Sequence, residues 1–70
     1  MVFVYTPAGG GKGYCNAKYV RAVEDDIDGN VIAGSVLIFG PGLDRIEARE
    51  PAKVLGDRLA SALERAQKQG

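Results

Sequence analysis

The chain has 70 residues, and nine Lys and Arg balance nine Asp and Glu, so its formal net charge is zero. That length supports one hydrophobic core and excludes two, and an apolar fraction of 46% excludes a disordered chain. Because the sequence has no His and one Cys, it excludes a Ser-His-Asp triad, an internal disulfide and a Cys/His zinc site. It has no apolar run near the ~20 residues of a membrane helix. We expect one domain over residues 1–70, in a reducing, cytoplasmic compartment.

The first predicted element is a short strand over residues 2–6, which are mostly β-branched or aromatic. Four of the residues from Pro7 to Gly13 are glycines, and they predict a flexible loop. Lys12 in this loop suggests a phosphate site, but Gly13 and a predicted strand follow it, where a P-loop has Ser or Thr and a helix. We therefore interpret the loop as a linker.

A longer strand is predicted over residues 14–24, where apolar side chains partly alternate with polar ones. The dipeptide Asp28-Gly29 then predicts a tight hairpin turn, because both residues tolerate a positive φ. Residues 31–39 are apolar at odd and even positions alike, which is typical of a strand covered on both faces.

Residues 43–49 are compatible with a charged edge strand that points Ile46 inward, or with the first turn of a helix, and we favour the strand. Pro51 suits the first helical position, and Glu50 lies near the positive end of the helix dipole. Apolar residues follow at helical spacing: Ala52, Leu55, Leu59, Ala62, Leu63 and Ala66. The sequence thus predicts an α+β fold, a three- or four-stranded antiparallel meander followed by one C-terminal amphipathic helix packed on one face.

One helix can cover only one face of such a sheet. Either the odd or the even positions of strand 31–39 face the helix, and the sequence leaves this choice open. We predict that the other face carries an exposed apolar strip that binds a partner, formed by Val20, Ala22, Val36 and Ile38. A second copy or a protein partner would cover this strip. In the alternative, strand 2–6 folds over it within one chain.

No catalytic, cofactor-binding or metal-binding residues are predicted, and we expect neither enzymatic activity nor a small-molecule substrate. The acidic cluster near the hairpin turn lacks EF-hand spacing, and we interpret it as a tip that steers a basic partner. Its members are Glu24, Asp25, Asp26 and Asp28, followed by Asn30. Cys15 is interpreted as a structural thiol.

Two functions follow from this architecture. The first is a small non-enzymatic protein-binding module or inhibitor, of the kind with which mobile elements block a host factor, acting as a homodimer or with a protein partner. The alternative is nucleic-acid binding, because strands followed by a helix are also the outline of several small DNA- and RNA-binding modules. A local basic strip of Lys12, Lys18 and Arg21, interleaved with Tyr14 and Tyr19, would then bind the nucleic acid. The missing basic excess disfavours this alternative.

Overall fold

The computed structural model describes residues 1–42 and 44–69, which form five β-strands, a short 3₁₀ helix and one α-helix. Strands come first and the helix last, so the predicted α+β class is confirmed. The elements in chain order are β1 (Val2–Tyr5), β2 (Gly13–Asn16), the 3₁₀ helix (Ala17–Tyr19), β3 (Val20–Asp28), β4 (Val31–Phe39), β5 (Asp44–Ala48) and α1 (Ala52–Gln69).

The strands form two antiparallel sheets, where the sequence predicted one. β1 pairs with β2, and β3, β4 and β5 form a meander with β4 in the centre. The prediction of one continuous strand over residues 14–24 is wrong, because the chain turns at Asn16. The Asn16 side chain accepts a hydrogen bond from the Lys18 backbone N–H at 3.0 Å and thereby starts the 3₁₀ helix.

The predicted hairpin between β3 and β4 is confirmed, but its two-residue turn is Gly29-Asn30 and not Asp28-Gly29, because Asp28 still pairs with Val31. Gly29 has a φ of 64°, a conformation that glycine adopts at little cost. The predicted edge strand is also confirmed over Asp44–Ala48, and Ile46 packs inward. Leu43, where that prediction began, lies outside the described residues.

The hydrophobic core lies between the meander, the β1–β2 hairpin and α1. Leu37 of β4 and Leu55 of α1 are fully buried in it. The odd positions of β4 therefore face the helix, which answers the question that the sequence left open. Strand β1 contributes Phe3 and Tyr5 to the same cluster, so it lies on the core side and does not cover the outer face of the meander. The buried members are Phe3, Tyr5, Cys15, Ala17, Leu37, Ala48, Leu55 and Ala62.

Two acidic side chains, Asp25 and Glu50, fix the start of α1. Asp25 of β3 accepts a hydrogen bond from the Ala52 backbone N–H at 2.9 Å, which satisfies one of the free N–H groups at the helix N-terminus. Glu50, just before the helix, accepts hydrogen bonds from the Thr6 backbone N–H at 2.8 Å and from Arg58 at 2.7 Å. Arg58 also donates to the Val4 carbonyl at 3.0 Å. The helix begins at Ala52, whereas the sequence predicted Pro51 as its first residue.

Candidate functional site

The outer face of the meander does not carry the continuous exposed apolar strip that the sequence predicted. Ala22 and Val36 do lie on this face and are half-buried. Ile38 points the same way but is only 7% exposed. Its cross-strand neighbours are Ala22 and Arg45, and the methylene stem of an arginine can cover apolar surface. Ile38 therefore offers little surface to a partner.

Val20 was assigned to the wrong face. It pairs with Phe39 and packs against the core, whereas Ala22 pairs with Ile38 on the outer face. The reason is a register shift at Arg21, which reverses the alternation of side chains at the start of β3. No alternation rule applied across Arg21 could place Val20 correctly.

The exposed apolar surface lies instead at the far end of the β3–β4 hairpin. Residues 24–33 are all exposed, and we call this segment the arm. The pairing of β5 with β4 begins at Ser35, so the arm from Asp26 outward is a two-stranded ribbon that extends beyond the third strand. Glu24 and Asp25, at the base of the arm, lie opposite residues of β4 that β5 also pairs. The molecule is accordingly elongated, with principal extents of 43 × 23 × 21 Å.

The arm combines apolar and acidic side chains. Ile27 and Ile32 are cross-strand partners on one face, 64% and 53% exposed. Asp28 and the exposed Val31 form the next pair, on the opposite face. A second register shift, between Asp26 and Ile27, separates this tip from the rest of the hairpin. The arm therefore presents hydrophobic contact surface that is flanked by carboxylates.

The zero net charge conceals a block pattern along the sequence. Residues 1–21 carry three bases and no acid, whereas residues 22–44 carry five acids and no base. Four of these acids lie within residues 24–28, and the fifth, Asp44, pairs with Phe39 near the other end of β3. Residues 45–70 carry six bases and four acids. Counting charges over the whole chain misses this separation, which counting by predicted hairpin would have found.

The first block contains further exposed cations and tyrosines, of which Lys18, Tyr19 and Arg21 lie at the opposite end of β3 from the arm. Lys12, Lys18 and Arg21 are exposed, as are Tyr14 and Tyr19, at 71% and 55%. The Lys18 ammonium lies 5.8 Å from the centre of the Tyr19 ring. We call Lys18, Tyr19 and Arg21 the basic end. Lys12 lies elsewhere, since it precedes Gly13, which pairs with Tyr5, and its loop contacts Ala48 and Arg49. The structure thus leaves accessible all three cations and both tyrosines that the sequence proposed for nucleic acid.

The described residues also include a buried thiol and two shallow cavities. Within residues 1–42 and 44–69, no three His, Cys, Asp or Glu side chains are gathered as metal ligands. Burial raises the pKa of the Cys15 thiol, so at neutral pH this thiol is protonated and a weak nucleophile. Two shallow cavities of about 260 and 280 Å³ lie between β1 and α1 and share Arg65. No helix in the described part of the chain is long and apolar enough to cross a membrane.

Comparison with protein-family models, with curated proteins and with solved structures finds no match for this chain.

Proposed function

We propose that the protein is a non-enzymatic binding module that recognises a protein partner through the arm. The observation that carries this proposal is the exposed Ile27–Ile32 pair on a ribbon that no third strand supports. Burying one isoleucine side chain is worth about 1.5–3 kcal/mol. A two-stranded ribbon is only marginally stable on its own. A partner that covers the two isoleucines would bury their apolar surface and thereby stabilise both the ribbon and the complex.

The free edges of the arm support the same function. β3 has β4 on one side only, and β4 has no second neighbour before Ser35. An exposed strand edge offers unpaired backbone N–H and C=O groups to an extended segment of a partner. The acids of β3 discourage pairing with another acidic strand and favour a basic partner. Ala22 and Val36 continue the outer face towards the arm and are a predicted extension of the contact surface.

The test compares the wild-type chain with the Ile27→Ser/Ile32→Ser variant in capturing proteins from native extract. We expect the wild type to retain a partner that the variant loses. The matched control is Val2→Ser/Leu63→Ser, which removes two other exposed apolar side chains, and it should retain the partner. Equal capture by the wild type and the arm variant would contradict the proposal.

The exposed Tyr14 and Tyr19 favour a second candidate function, the binding of single-stranded nucleic acid. Stacking of a base on an aromatic ring is worth about 1–3 kcal/mol, and neighbouring cations attract the phosphates. Fluorescence anisotropy with a labelled oligothymidylate measures such binding, and Tyr14→Ala/Tyr19→Ala should weaken it at least tenfold. No binding at about 0.05 M salt, where phosphate contacts are strong, would dismiss this function.

A further inference from the structure

The arm and the basic end lie too far apart to neutralise each other within one molecule. Arg21 and Asp28 are separated by seven residues of β3, which corresponds to about 23 Å at ~3.3 Å per residue. The Debye length at physiological salt is about 8 Å, so their charges are screened from each other. Among the described residues, neither the acids of the arm nor the cations of the basic end form an ion pair.

The two surfaces are also complementary in their apolar groups. The arm presents Ile27 and Ile32, and the basic end presents Tyr19. Exposed apolar groups of this kind, surrounded by charge, mark interaction surfaces on soluble proteins. Opposite charges on two such surfaces favour their encounter and fix its orientation.

A contact between two arms through their β3 strands is disfavoured by the same charges. Antiparallel pairing of one β3 with the β3 of another copy would bring Glu24, Asp26 and Asp28 against the same acids. Like charges on facing strands are destabilising. The contact that the charge pattern favours is therefore between unlike surfaces.

We propose that the arm of one molecule docks on the basic end of a second copy. This inference rests on the proposed binding function of the arm and names its partner. Each molecule has one arm and one basic end, so the contact is heterologous and joins copies head to tail, in a ring or an open chain.

The test measures mass in solution by light scattering, starting from the single-chain mass of 7.4 kDa. At low salt the mass should rise with protein concentration up to about 0.5 mM, and about 0.5 M NaCl should return it towards 7.4 kDa because salt screens the contact. Two variants each remove one surface. Ile27→Ser/Asp28→Asn blocks the arm, and Lys18→Gln/Tyr19→Ser blocks the basic end.

Each blocked variant alone should stay monomeric, with self-association weakened at least tenfold. An equimolar mixture of the two should form dimers and nothing larger, because one intact arm and one intact basic end remain. The control Leu63→Ser/Glu64→Gln changes an exposed apolar residue and an acid on α1, outside both surfaces, and should associate like the wild type. Circular dichroism checks that every variant is folded.

A wild type that stays monomeric at low salt, or a mixture that fails to associate, would overturn the second copy as partner. Either result would leave the arm free to bind a different protein, which the capture experiment tests separately. Association that persists in the arm-blocked variant would also overturn the inference.

Discussion

The Ser35 hydroxyl is fully buried in β4, and its oxygen has no hydrogen-bond partner among the described residues. Burying an unpaired hydroxyl costs about 1–3 kcal/mol. We therefore expect Ser35→Ala to raise the free energy of unfolding by about 1 kcal/mol, measured by urea denaturation. The exposed Ser61→Ala on α1 is the control, with a gain of at most about 0.5 kcal/mol from helix propensity. A loss of stability in Ser35→Ala would show that the hydroxyl is satisfied in solution.

At the scale of elements, Glu50 links β1 to α1. Burial raises the pKa of Glu50, but hydrogen bonds from Thr6, its own backbone and Arg58 outweigh this effect and hold the pKa below its ordinary value of 4.5. A lowered pKa means that the carboxylate stabilises the folded state above that value. This stability is lost as the pH falls from 4.5 through the folded-state pKa. Denaturation between neutral and acidic pH should show the loss.

The variant Glu50→Gln should abolish this part of the pH dependence. At pH 7 it should also lower the free energy of unfolding by about 1–3 kcal/mol, because Arg58 and Thr6 lose a charged acceptor. Glu64→Gln is the matched control, since Glu64 pairs with Lys68 at 3.1 Å on the exposed surface of α1. Removing an exposed pair of this kind costs less than about 1 kcal/mol. Equal effects of the two variants would contradict the stabilising role of Glu50.

The sequence predicted those elements whose signal is local. Three signals depend only on neighbouring residues: the Asp28-Gly29 hairpin signal, the apolar run of β4 and the helical spacing of α1. The structure contains the hairpin, the strand and the helix that they predicted. The break in residues 14–24 was missed, although Asn is a residue type that ends strands by accepting a hydrogen bond from the backbone two residues on, here the Lys18 N–H. The hydrogen bond from Thr6 to Glu50 joins residues that are 44 positions apart in the sequence, so no local pattern could reveal it.

At the scale of the whole molecule, the sequence predicted that apolar surface is exposed but assigned this surface to the wrong residues. The excess of apolar side chains over what one helix can cover does indicate exposed apolar surface. It could not show that β5 ends its pairing at Ser35, which leaves the hairpin beyond it as a free arm. Nor could it show that Arg45 stands opposite Ile38, because register between strands depends on bulges and loops.

Residues 26–33 of the arm are expected to be dispensable for folding, since none of them is buried and Asp25, which bonds to the start of α1, is kept. Replacing residues 26–33 with Asn-Gly would join Asp25 to Gly34 through a short glycine-containing turn of a kind that hairpins accept. We expect the melting temperature to change by less than about 8 °C, which corresponds to ~1 kcal/mol in a domain of this size. Small-angle scattering should show a molecule shorter than the present 43 Å long axis. Because the core is unchanged, loss of partner capture by this shortened chain would be due to the missing arm. A shortened chain that no longer melts cooperatively would instead make the arm part of the folding unit, and its exposed isoleucines would then need a structural explanation.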